Sequence, residues 1–505
     1  MRIRYGLGLG LTVMIWAATA GGSEPVRIDD RRELFVDNFL VEGLQGGACR
    51  VMHRPIPREI VMTFDKPWEG NACGYFTIFQ DGNIYRMYYR GCSFTIKDDK
   101  LIMSTRRACY AESEDGRYWK RPKLGLFEFE GSKENNIVWA GDGCENFTVF
   151  KDENPKCAKE VRYKAVGLRV GPGGFAKATK ELLGFVSSDG IHWKLLREEG
   201  IIKDGWFDSQ NVVFWDKNIG AYRAYYRYFK GFPEGRDIKT ATSGDFVNWS
   251  KGIPLKHIKK PPAQFYTNVI RSYYRADHIY IGMPGMYKEH SWTSTLEQLP
   301  DPKRRRIFSS VAMRYGTAIT NAMLMWSRDG VSFERSSDTF IRPGPERVGS
   351  WNYGDHWAAW HVVETASGME GAARELSLYV TESYWPSDRN CVQLRRNTLR
   401  LDGFASIHCP IEGGEVVTGS LIFEGERLLL NFATSAYGTI KVEIQDKDGI
   451  PIPGFALNEC VELYGDTVER GVQWKNGTDV SKLAGQVVKL RFVMADANLY
   501  SIKFE

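Results

Sequence analysis

The sequence predicts an all-β chain, a five-bladed β-propeller followed by a C-terminal β-sandwich, and three observations carry that reading. A Ser-x-Asp-x-x-x-aromatic box occurs four times. Five short apolar strands are each followed by a polar turn and a second strand, most of them rich in aromatics. Beyond residue 402 the texture changes to longer alternating strands. Composition agrees: 15 Trp, 24 Tyr, 27 Phe and 51 Gly in 505 residues suit short strands and tight turns.

The boxes run from Ser113 to Trp119, Ser187 to Trp193, Ser243 to Trp249 and Ser327 to Phe333. Asp-Gly marks a tight turn, and the closing aromatic re-enters a strand, so each box reads as the hairpin between the two outer strands of a four-stranded unit. Asp115, Asp189, Asp245 and Asp329 are therefore expected to cap turns. Upstream lie the inner strands, Phe76 to Phe79, Phe147 to Phe150, Val212 to Trp215, Val269-Ile270 and Ala359 to Val363. The fifth unit lacks an outer strand, and Leu34 to Leu40 is expected to supply it and close the ring, with a structural role for Asp37. The boxes' closing aromatics are separated by 74, 56 and 84 residues, which fits loop insertions on a propeller better than a strict solenoid. A multi-sheet β-sandwich is the alternative architecture.

Residues 1–20 read as a cleavable signal peptide: Arg2 and Arg4, a mostly apolar stretch, then Ala18-Thr19-Ala20. The propeller is expected over residues 21–402 and the sandwich over residues 403–505. This predicts a secreted or periplasmic protein with no later membrane span. The formal charge of +5 is interspersed, with no basic block that would mark a nucleic-acid partner. Nine scattered cysteines show no CxxC or Cys/His cluster, so no metal and no cofactor are expected. Cys73 and Cys92 stand equally far from the Asp81-Gly82-Asn83 turn and are expected to face each other, bonded or not. No Gly-x-Ser-x-Gly elbow or phosphate loop is present.

A five-unit propeller with a C-terminal sandwich resembles the secreted glycoside hydrolases grouped around families 32, 43, 68 and 117. Local strings are similar to an exported bacterial group related to that clan: Glu33-Leu34-Phe35-Val36-Asp37, Phe207-Asp208-Ser209-Gln210-Asn211, Tyr266-Thr267-Asn268, Leu399 to Ser406 and Glu462 to Asp466. The Asn-Asp-Pro-Asn-Gly and Arg-Asp-Pro strings of family 32 are absent, so no catalytic residue carries over by motif.

Site residues must then come from position. The first residues of each inner strand face the central channel, which nominates Trp68, Glu69, Glu145, Asp208, Gln210, Asn211, Tyr266, Asn268, Asp355 and His356, with Glu382 and Tyr384 after the second strand of the last blade. Glycosidic hydrolysis needs two carboxylates in different environments. Glu382 is expected to be the acid, its pKa raised by Tyr384 and Trp385. Glu69 is expected to be the base or nucleophile, and Asp208 to orient the sugar or hold up the acid's pKa. Trp68, Glu145, Gln210, Asn211, Tyr266, Asn268, Asp355, His356 and Tyr384 are expected to bind substrate, as amides grip hydroxyls and aromatic faces stack on sugar rings. Arg236-Asp237 reads as an exposed ion pair, with selection of an anionic sugar as its alternative.

The function expected is a secreted glycoside hydrolase acting from chain ends. A non-catalytic carbohydrate-binding propeller is the alternative, and a polysaccharide lyase using Tyr266, Asn268 or His356 is a third reading.

Overall fold

The computed structural model describes residues 24–170, 181–231, 235–258, 263–385 and 391–505. The expected signal peptide lies outside them. Five antiparallel sheets make the ring. Blade one is Gly74–Asp81, Ile84–Gly91, Arg107–Ser113 and Ile137–Ala140; blade two is Glu145–Lys151, Tyr163–Leu168, Leu182–Ser187 and Lys194–Leu195. Blade three is Val212–Asp216, Ala221–Phe229, Arg236–Ser243 and Ile253–Pro254. Blade four runs Ile270–Tyr273, Ala276–Gly282, Met325–Ser327 and Ser332–Arg335, with Lys256–His257 added in parallel at its rim. Blade five is Val363–Thr365, Glu375–Glu382, Val392–Arg400 and Ile56–Phe64.

An N-terminal strand does close the ring, but it is Ile56–Phe64, not Leu34 to Leu40. The latter segment is a wedge. Leu34 and Val36 belong to the propeller's largest core cluster, while Phe35 and Leu40 belong to the core of the C-terminal sheet. Its apolar pattern records burial between two modules rather than membership of a blade. Asp37 does have a structural partner there, accepting from Arg328 Nε at 2.8 Å.

The boxes explain how neighbouring blades lock together. In the second, Asp189 Oδ1 accepts from the backbone N–H groups of Ile191 and His192, and Trp193 Nε1 donates to the Gly190 carbonyl. That same carbonyl accepts from Tyr88 Oη of blade one at 2.9 Å. Tyr225 does this for Gly330 and Tyr379 for Gly116, so the middle strand of one blade holds the turn of the next. Each such glycine has positive φ, a conformation that costs other L-residues energy. Blade one departs from the expected hairpin. Only Lys120 bridges back to Glu112 after its box, and the outer strand comes from Ile137–Ala140.

The second module is a ten-stranded sheet built on two long strands, Leu428–Asp446 and Val488–Phe504. Residues before the propeller join it: Val26–Asp29 pairs with Leu421–Phe423, Val41–Gly46 with Gly414–Thr418, and Cys49–Met52 with Ala405–Cys409. The boundary expected at residue 21 therefore moves, because the chain starts in the second module, runs the ring, and returns. The modules meet at Asp402, which is buried and accepts from Arg32, Arg275, Tyr273 and Ser501. Cys73 and Cys92 are both buried free thiols. Cys73 and Cys92 do not face each other, since a bulge between Gly74 and Thr77 shifts the register and sets Cys92 opposite Ala72.

Candidate functional site

The inner strands begin in an unusual backbone conformation. Tyr75, Asn146 and Val269 have positive φ (55°, 55° and 40°) at or just before the inner strands of blades one, two and four, and His356 (60°) lies seven residues before that of blade five. In blades one and two a bulge follows directly. Such residues cost roughly 1–3 kcal/mol each and persist where the fold needs a side chain re-aimed.

What these turns and the strands beside them assemble is an aromatic floor. Tyr266 stacks on Trp357 with centroids 4.7 Å apart, and Trp357 stacks on Tyr75 at 5.9 Å. Tyr353 meets Tyr266 edge-on, and its hydroxyl donates to the Tyr266 hydroxyl at 2.8 Å. Tyr384 packs on Trp357 and Tyr353, and accepts from Arg90 Nη2 at 3.0 Å. Arg90 in turn is neutralised by Glu145 and lies 4.6 Å from the Tyr75 centroid.

Asp208 is the carboxylate on this floor that water can reach, with its side chain 41% exposed and Oδ2 3.3 Å from Arg227 Nη2. Arg227 lies over the Tyr266 ring at 5.1 Å, and Arg236 over the same ring at 5.3 Å. Arg314 bonds the Tyr353 hydroxyl at 3.3 Å. Burial and the Asp208 charge push the Tyr266 phenol up, but Arg227, Arg314 and Arg236 outweigh them and hold it below the ordinary tyrosine value. Tyr353, also buried, is held well above it. The two phenols of this hydrogen-bonded pair are thus shifted in opposite directions.

Glu69 and Glu382 are each held by arginines other than the one paired with Asp208. Glu69 is fully buried in blade one, where it accepts from Tyr89 Oη at 2.6 Å, Arg121 Nε at 2.7 Å and the Lys66 amide at 3.0 Å. Every lone pair is engaged, and the group braces its blade. Trp68 beside it is turned to Asn136, donating at 2.6 Å. Glu382 is gripped by Arg395 through both oxygens and by Arg347 at 2.7 Å. Burial alone would raise its pKa, but those guanidiniums hold it below the usual carboxylate value. The desolvation expected from Trp385 does not decide the matter, because that ring stacks instead on Phe308 at 4.0 Å.

Asp355 has the environment expected of Glu382. Its Oδ1 accepts from the Tyr384 amide at 2.7 Å, Oδ2 is buried without a hydrogen-bond partner among the described residues, and burial raises its pKa to about 7. His356 next to it is held neutral by burial, its pKa down at about 4.

The amides brace more than they bind. Gln210 reaches the Phe76 carbonyl of blade one at 3.0 Å, and Asn211 ties its own loop through the Phe207 and Ser209 carbonyls. Asn268 donates to the Gln210 and Tyr225 carbonyls, leaving its Oδ1 without a partner among the described residues.

Sequence reasoning missed an insertion in blade four. The hairpin Gly285–Glu289 with Ala318–Ala322, carrying the helices Ser294–Gln298, Pro302–Val311 and Met313–Thr317, brings Tyr287, Arg314 and Tyr315 to the site. The Asp301-Pro302 pair before a basic, apolar run is the helix-start signal that marks it. At the inner strands' other ends lies a second concavity of about 390 Å³, lined by Arg271, His361, Glu153 and Tyr274 among others. No group of three or more His, Cys, Asp or Glu among the described residues is placed to hold a metal ion.

No family model matches the chain, and no curated protein does. Among solved structures it is similar to a glycoside hydrolase at 15% identity, over 68% of this chain and 92% of that one, with a TM-score of 0.44. It is similar to the endo-arabinase from Bacteroides thetaiotaomicron VPI-5482 at 12% identity, over 66% and 97%, with a TM-score of 0.39. The Bombyx mori GH32 β-fructofuranosidase BmSUC1 spans more of the chain, 90% against 94% of its own, at 8% identity and a TM-score of 0.41.

Proposed function

We propose that this protein is a glycoside hydrolase whose reaction takes place on the aromatic floor, with Asp208 as the ionised carboxylate and Asp355 as the proton donor. One observation carries the reading: two carboxyl groups stand in opposite environments, Asp208 on the Arg227 that lies over Tyr266, and Asp355 on the backbone amide of Tyr384. Asp208 is half-exposed beside Arg227, and Asp355 is buried with its pKa raised to about 7. That division is what acid–base cleavage of a glycosidic bond requires.

The sugar ring would lie against the aromatic floor beside Asp208, the carboxylate that water reaches there. Asp355 gives its proton to the leaving oxygen as the C–O bond breaks. Asp208 either takes a proton from the attacking water or first bonds the anomeric carbon, and the separation of the two carboxyls in the working enzyme decides which. Water supplies the hydrogen and hydroxyl that end on the two products. The anomer formed first, read by NMR, distinguishes the two routes.

Action from chain ends and export through residues 1–20 belong to the same proposal. Product sizes during early digestion test the first, and N-terminal sequencing of protein recovered outside the cytoplasm tests the second. The primary test is a screen of the purified chain against neutral, sulfated and uronate polysaccharides and aryl glycosides. New reducing ends from any of them support hydrolysis, and binding without release of ends favours a carbohydrate-binding module.

Tyr266 favours a second reading. A phenol flanked by arginines that lower its pKa suits eliminative cleavage of a uronate, where the base removes the proton beside a charge-neutralised carboxylate. Elimination leaves a conjugated double bond whose ultraviolet absorbance separates it from hydrolysis.

A further inference from the structure

We propose that the floor selects an anionic sugar, with Arg227, Arg236 and Arg314 receiving a carboxylate or sulfate group beside Tyr266. This deepens the carbohydrate reading and rests on it. Three guanidiniums converge on one phenol: Arg227 and Arg236 over the Tyr266 ring at 5.1 and 5.3 Å, and Arg314 on the hydroxyl of Tyr353 that bonds Tyr266.

Their charge is largely uncompensated. Among the described residues, Asp208 at 3.3 Å from Arg227 is the single carboxylate paired with any of the three. Arg236 bonds the amide oxygen of Gln264 at 3.1 Å, and Arg314 bonds only phenols, Tyr315 at 3.0 Å and Tyr353 at 3.3 Å. Arg227 Nη1 is buried with no hydrogen-bond partner among the described residues. Other guanidiniums nearby each have a carboxylate partner, Arg90 in Glu145 and both Arg347 and Arg395 in Glu382. Arg236 and Arg314 are half-buried and lack a carboxylate, and a carboxylate or sulfate oxygen supplies the charged acceptor that they are missing.

The arrangement also has a specificity logic. Neutral sugars would leave these donors unpaired and the charge desolvated, which penalises them relative to charged ones. The sequence offered Arg236 as an exposed pair with Asp237, with an anionic sugar as the alternative. In the fold Asp237 turns to His257 at 2.9 Å and to Lys230, leaving Arg236 for the floor.

The test is calorimetric titration of the purified full chain with two matched pairs of probes. One pair is trigalacturonate and its methyl ester, and the other is a sulfated galactan oligosaccharide and its desulfated form. The two pairs distinguish carboxylate from sulfate. The charged member of at least one pair should bind about tenfold tighter, with the preference shrinking as salt is raised. Arg236→Gln and Arg314→Gln should each remove most of that preference. Arg236→Lys should retain part of it, and unchanged circular dichroism shows that the variants fold. Equal binding of charged and neutral members in both pairs, or a preference that survives both glutamine variants, overturns the proposal. Product analysis on the same samples separates it from the hydrolase reading. Preference without cleavage rejects hydrolysis and keeps the anion site, and cleavage without preference does the reverse.

Discussion

Replacing Glu69 with Gln separates a bracing carboxylate from a reacting one. The side chain is 0% exposed and receives Tyr89 Oη, two nitrogens of Arg121 and the Lys66 amide. An amide of the same shape can keep the bonds to one oxygen, but its NH₂ then faces donors on the other side. Removing one partner of a buried ion pair costs about 3–5 kcal/mol. Arg121 is one-fifth exposed and has Asp65 at 3.8 Å as a weak substitute, which places this case at the lower end, about 3 kcal/mol. Equilibrium urea unfolding followed by tryptophan fluorescence should show that loss, while turnover per folded molecule stays near wild type. A Glu69→Gln protein that unfolds within about 0.5 kcal/mol of wild type yet loses turnover more than tenfold would refute the bracing role.

Gly190→Ala should destabilise the ring by about 2 kcal/mol, since φ is +79° and a Cβ would sit 2.6 Å from the Tyr88 hydroxyl; thermal unfolding of the variant checks it. Asp355 makes a signed prediction. Its pKa is raised from 3.8 to about 7, so the folded state binds the extra proton and stability falls as pH rises between those values. Asp355→Asn should flatten that slope in unfolding measured from pH 4 to pH 8, and a slope unchanged by the substitution would contradict the assignment. Hydrolysis limited by this donor should fall as pH rises above about 7, which a rate profile on any cleaved substrate would show.

The blade repeat was legible because it is local. Ser-x-Asp-x-x-x-aromatic writes its turn chemistry into seven residues, and Asp189 and its counterparts cap their turns as that pattern implies. Ring closure was harder to read. Ile56–Phe64 carries Pro57 and several polar residues and looks unlike a strand, yet it lies on an edge, where a missing N–H is tolerated. Leu34 to Leu40 looks like a strand because it is buried from two sides.

The site was legible where position alone decides and hidden where charge does. Asp208, Tyr266 and Tyr384, read from their place in the blade, lie together at the aromatic floor. Glu69 and Glu382 occupied equally suggestive positions, but Arg121 and Arg347 reach them from distant parts of the chain and Arg395 reaches Glu382 from the neighbouring strand. Arg314 was invisible for a related reason, since a blade-four insertion delivers it to a floor built by other strands.

The most direct test of the account is turnover by Asp208→Asn on the best substrate from the polysaccharide screen. The substitution keeps shape and hydrogen bonding while removing the charge that hydrolysis needs. The account predicts that kcat falls by roughly 10²–10⁴ with substrate binding retained. An Asp208→Asn enzyme that turns over at the wild-type rate would contradict it and move the reaction away from the aromatic floor.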